Sequence, residues 1–146
     1  MRIKSIAALL ALPLLAAAFA ASAQTSPEGR WKTIDDETGK VKSIVEITRA
    51  SDGSYAGKVA EILHSTRGPD PVCDKCGGAN KDKPVKGMTI LWNIKEEGGG
   101  EYGGGRILDP AKGKDYKAKL ELQGADKLGV SGCIAFICRE QVWVRE

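Results

Sequence analysis

From Tyr116 to Leu122 the side chains alternate strictly, with Tyr116, Ala118, Leu120 and Leu122 on one side and Lys117, Lys119 and Glu121 on the other. A period of two describes a strand with one buried face and one solvated face. The preceding segment, Asp109-Pro110-Ala-Lys-Gly113, joins a fixed φ at Pro110 to a free φ at Gly113 and so reads as a hairpin turn. Tyr102 to Asp109 supplies the partner strand. Two antiparallel strands are thereby written out, and the chain after residue 28 repeats their grammar.

Gly29–Ile34 reads as a first strand and Val41–Arg49 as a second, with Val45 and Ile47 opposed to Lys42, Glu46 and Thr48. Tyr55–Leu63 is a third, in which Tyr55, Gly57, Val59, Glu61 and Leu63 share a side; a bulge would turn Glu61 outward. A long polar loop, His64–Lys86, has room for a short helical turn. In a fourth strand Met88, Ile90, Trp92 and Ile94 alternate with Thr89, Leu91 and Asn93. Glu96–Gly100 is a turn, and Leu128–Cys133 and Arg139–Arg145 complete eight strands. Short strands joined by tight turns specify an all-β, antiparallel up-and-down barrel with one long loop after the third strand. A sandwich is the alternative. It needs long crossing connections, and only the loop 64–86 could serve as one.

The first residues read as an address. Arg2 and Lys4 precede an apolar run, Ile6–Ala20, and Ala21-Ser22-Ala23 is an Ala-x-Ala site, so residues 1–23 have the pattern of a cleaved secretory signal. The run is shorter than the roughly 20 residues that span a bilayer, and Pro13 interrupts it. Residues 24–146 then form a single β-barrel domain in the periplasm or outside the cell, with no transmembrane segment. The formal net charge of the whole chain is +3, and two of its cations sit in this leader. A nearly neutral remainder gives no electrostatic case for nucleic acid or an anionic membrane.

Cys73, Cys76, Cys133 and Cys138 all follow the leader, and an even count in an oxidising compartment favours two disulfides. Cys133 and Cys138 flank Ile134-Ala-Phe-Ile137, so a four-residue hairpin loop sets them opposite each other at about the 5.5 Å Cα separation that a disulfide needs. Of the three possible connectivities, Cys73–Cys76 with Cys133–Cys138 is favoured because each pair is close in sequence. A zinc site and a thiol-redox pair at Cys73–Cys76 are the alternatives. The two cysteine spacings do not match for zinc. Gly77-Gly78 opposes the helix N-terminus that would activate a thiolate. No cofactor or metal is called for.

His64 is the only histidine, and Asp109 suits its own turn, so no nucleophile meets a base and the chain does not read as an enzyme. Candidate ligand-lining residues are Val59, Ile90, Trp92, Tyr116 and Leu120, with Glu61 or Arg106 as a polar anchor. The ligand would be a small apolar or amphipathic molecule. An eight-stranded barrel has room for one, or for packed side chains alone. The other reading is an envelope interaction module. Ile134, Phe136 and Ile137 crowd a hairpin tip with no evident core to enter, as at a protein contact.

Gly29-x-Trp31, with Arg145 beside Trp143 on the last strand, resembles the lipocalin and calycin signature. That resemblance implies barrel closure through Trp31, Trp143 and Arg145, a guanidinium covering an indole. The wider pattern includes Gly57-Lys58-Val59, Cys73-x-x-Cys76, Lys86-Gly87-Met88, Gly105-x-Ile107-Leu108-Asp109-Pro110-x-x-Gly113-Lys114-x-Tyr116, Gly132-Cys133 and Gln141-x-Trp143-x-Arg145. It is similar to a family of small exported bacterial proteins catalogued as domain of unknown function 2147. The resemblance implies a lipocalin-like barrel and brings no established reaction or ligand. If the leader is read correctly, N-terminal sequencing of periplasmic extract should give Gln24 as the first residue. An intact Met1 recovered from membranes would refute it.

Overall fold

The computed structural model describes residues 26–146; the segment read as a signal lies outside the described residues. Eight strands follow in order: β1 Gly29–Ile34, β2 Val41–Arg49, β3 Tyr55–Ile62, β4 Thr89–Gly98, β5 Glu101–Asp109, β6 Lys114–Leu122, β7 Lys127–Ile134 and β8 Ile137–Arg145. One 3-10 turn, Gly78–Asn80, lies in the long loop. Each strand pairs antiparallel with the next, and β8 returns to β1, giving a closed barrel and excluding the sandwich. Among the described residues, no helix is long and apolar enough to cross a membrane.

Alternation fills the interior. Trp31, Val45, Ile47, Val59, Leu120 and Leu128 are buried in one contiguous cluster, while intervening residues such as Glu46, Lys58, Lys119 and Glu121 face solvent. Tyr55 and Tyr102 meet edge to face, with ring centroids 5.5 Å apart. Burial of Tyr102 pushes its hydroxyl pKa upward.

Strict alternation fails in two places, each at a shift in pairing register. Between β2 and β3, Val45 stands opposite Val59 but Ile44 stands opposite Glu61, so Ala60 is the extra residue. Past that bulge Glu61 turns away from Val59 and reaches Arg30 at 2.5 Å, and Ile62 packs on the core instead. Leu63 lies beyond the strand and is exposed. In β4 the pairing skips between Gly57 and Lys58, and both Ile90 and Leu91 are buried. Leu91 packs opposite Gly57, correcting its expected outward position, and Trp92 is left half-buried opposite Arg106. A left-handed Asn93 (φ 55°) then returns Ile94 to the interior. Bulges of this kind increase strand bending, which a closing sheet requires.

Two turns are tighter than the sequence suggests. β4 runs through Glu96 to Gly98, so only Gly99 and Gly100 connect it to β5. Ile134 and Ile137 pair with each other, leaving a two-residue tip of Ala135 and Phe136 in place of a four-residue loop.

The seam between β1 and β8 has only two registered pairs, Trp31 with Arg145 and Lys32 with Val144. Side chains reinforce it. The Arg145 guanidinium lies 4.1 Å from the Trp31 ring centroid. It also donates to the carbonyls of Ala125 (2.8 Å), Glu28 (2.9 Å) and Ser26 (3.4 Å). Trp31 Nε1 donates to the Pro27 carbonyl at 2.8 Å. Gly29 belongs to the same device: with φ +127°, a Cβ there would sit 2.6 Å from an Arg145 nitrogen. On the outer face Arg30 joins Glu146 and Glu61, and Glu146, hydrogen-bonded to Arg30, has its pKa lowered. Arg145→Ala should lower stability by about 2 kcal/mol, and Arg145→Lys should recover little of it, because a point cation cannot reproduce the planar fork. A urea midpoint unchanged by either substitution would show that this contact does not hold the barrel shut.

Candidate functional site

The two ends of the barrel are built differently. One end carries the Trp31–Arg145 closure and the connections β2–β3, β4–β5 and β6–β7, all of five residues or fewer. The other end, here called the mouth, carries β1–β2, β5–β6, β7–β8 and the loop 63–88. That loop folds back on itself as a small hairpin. Val72 bridges Pro84, Cys73 N donates to the Lys83 carbonyl and Val85 N donates to the Pro71 carbonyl, both at 2.9 Å. Inside the hairpin, Cys73 and Cys76 lie within disulfide distance, their Cα atoms 5.3 Å apart.

The underside of the loop is apolar despite its polar composition. Cys73, Cys76, Val85 and Met88 are buried and belong to the same cluster as the barrel interior. Four contacts seat the loop. Gly87 N donates to the Val59 carbonyl (2.7 Å) and Val59 N to the Met88 carbonyl (2.9 Å), tying it to β3. Cys73 Sγ lies 3.3 Å from the Pro110 carbonyl in the β5–β6 turn. Gly113 in that turn (φ +65°) passes so close to the Lys75 carbonyl that there is no room for a Cβ. The loop therefore spans from β3 to the β5–β6 turn and covers that side of the mouth.

The sequence-derived candidates separate into three groups. Val59, Ile90 and Leu120 lie in the apolar cluster. Trp92 and Tyr116 are half-buried, Tyr116 opposite Ile107. Glu61 and Arg106 are engaged on the outside, Glu61 with Arg30 and Arg106 with Asp115 at 2.6 Å. Asp109 accepts from Ala111 N at 3.0 Å within its own turn. Trp143 is buried opposite Leu128, and its indole Nε1 has no hydrogen-bond partner among the described residues. Two surface hollows are polar, one beside Glu97, Glu101, Glu121 and Glu140 and one beside Lys83, Lys86 and Thr89. The cover was missed from sequence because Val85 is a single apolar residue among lysines, with no periodicity to expose it; Met88, read as the first inward residue of the fourth strand, lies just before β4 and is buried under the loop.

A family model described as an uncharacterized protein conserved in bacteria (DUF2147) matches residues 29–145, which run from the first residue of β1 to the last of β8. The chain belongs to this family. No curated protein matches this DUF2147 member. Among solved structures it is similar to a protein of the human pathogen Helicobacter pylori described as belonging to the lipocalin family. The TM-score is 0.71 at 16% sequence identity, with 83% of each chain covered. Identity that low makes the likeness one of fold, and the shared fold is the closed eight-stranded barrel.

Cys133 and Cys138 also pair, with Cα atoms 4.0 Å apart across β7 and β8. No free cysteine remains among the described residues. Intact mass should be four hydrogens below the reduced chain, and digestion should yield Cys73 linked to Cys76 and Cys133 linked to Cys138. The links close segments of only 3 and 5 residues' separation, so reduction should cost less than the ~3 kcal/mol associated with a 15-residue loop. Loss of the whole barrel on reduction would contradict this.

Proposed function

We propose that the protein is an exported, non-enzymatic carrier that takes a small apolar or amphipathic molecule at the mouth of the barrel, beneath the loop 63–88. The observation that carries the reading is the contrast between the two ends. A cation–π contact and side-chain hydrogen bonds fasten strand to strand at one end, whereas at the other a loop outside the sheet, held by a few backbone bonds, covers part of the opening. Lifting that segment would uncover Val59 and Ile90 first, with Tyr116 toward the mouth margin and Leu120 lower in the barrel. Glu61 and Arg106 drop out as anchors because each is already paired outside. Two disulfides support an oxidising compartment, and the lipocalin-like fold supports binding without chemistry.

Native mass spectrometry of gently purified protein should show a reproducible added mass. Gly113→Ala, which forces a Cβ against the Lys75 carbonyl, should loosen the loop and speed uptake of an apolar fluorescent probe several-fold. Absence of both an added mass and probe binding, in a variant whose loop amides exchange faster with solvent, would reject the carrier reading.

A further inference from the structure

Exposed large apolar side chains are not scattered over this molecule. Six are found among the described residues: Leu63, Val72, Ile134, Phe136, Ile137 and Val142. Five of the six lie at the mouth end, at the end of β3, in the long loop and on the β7–β8 tip. The tip is the extreme case, with Phe136 92% exposed and its neighbours Ile134 and Ile137 68% and 70%. It is also rigid. The Ile134–Ile137 pair and the Cys133–Cys138 link lie directly behind it, so little conformational freedom remains to be lost when it is covered.

The size of this feature selects the occupant. Three side chains on a two-residue turn and the strand ends beside it present roughly 400 Å² at most, about half of what each partner contributes to a standard protein interface. A narrow apolar tip projecting from a polar surface instead matches the headgroup and acyl boundary of a bilayer, where apolar groups enter by about 5–10 Å. The charges agree with that orientation. Lys117, opposite Cys133, stands behind the tip, next to an Arg139 that is already paired with Asp36. The mouth-end connections add Lys40, Arg67, Lys75, Lys81, Lys83, Lys86 and Lys112, slightly outnumbering their acidic residues. The opposite-end connections contain Asp52 and Asp126 and no cation. An anionic surface would therefore repel the closed end and accept the mouth. Net charge alone hides this polarity.

We infer that the mouth end docks reversibly on an anionic lipid bilayer, with Phe136, Ile134 and Ile137 entering the headgroup region and the surrounding lysines facing lipid phosphates. The test is flotation of the full folded protein with two vesicle types, phosphatidylcholine alone and phosphatidylcholine mixed with phosphatidylglycerol. Binding should be detectable on the mixed vesicles and fall as salt rises. Phe136→Ser should weaken it about tenfold or more, while the melting temperature and both disulfides stay unchanged. Lys117→Gln should reduce binding to the anionic vesicles alone. No flotation with either vesicle would overturn the inference, as would binding that Phe136→Ser leaves intact. A wild-type dimer that Phe136→Ser converts to a monomer would overturn it in favour of contact between two copies.

Discussion

The rest of the structure depends on the seam where β8 meets β1. Two registered pairs are few for joining a sheet to itself, compared with the eight that join β7 to β8. A barrel has no edge only if every strand finds two neighbours, so a weak seam would leave β1 and β8 as open templates. Side chains supply what the ladder lacks. Arg145 stacks on Trp31, ties back the segment 26–28 and holds the β6–β7 turn through Ala125. Arg139 and Gln141 reach Asp36 near the other end of the same seam.

Much of the fold was legible in the sequence because a half-buried strand carries its own period. The bounds of β1 and β2 coincide with those read from Gly29–Ile34 and Val41–Arg49, and β6 follows the alternation of Tyr116 to Leu122. Alternation misled where the backbone carries an extra residue. One bulge at Ala60 sends Glu61 outward, and one register shift brings both Ile90 and Leu91 inward. A bulge is a property of the pairing between two strands, so neither strand announces it alone. Gly29 was legible as part of Gly-x-Trp. Its reason, room for the Arg145 guanidinium, is visible only with residues 116 positions apart brought together.

The candidate site was harder to read for the same reason. The cover over the mouth consists chiefly of isolated residues, Cys73, Cys76 and Val85, in a segment whose composition is that of a solvated loop. What makes the segment ordered is a local hairpin pinned by a disulfide and pressed onto the β5–β6 turn at Gly113. The two disulfides therefore act locally, one shaping the cover and one stiffening the β7–β8 tip. Neither links distant strands, and the barrel owes its closure to packing and hydrogen bonds.

Because strand order in space repeats strand order in sequence, every pairing but one is between chain neighbours. A chain emerging from a ribosome or a translocation pore could therefore add strands one at a time as they appear. The exception joins residue 31 to residue 145, so the sheet must persist as an open ribbon until Arg145 has emerged. Throughout that interval β1 offers unpaired backbone to any passing strand, which is the condition for misassembly and chaperone capture. Truncation within β8 would then release a persistent open-edged sheet, a species prone to polymerise.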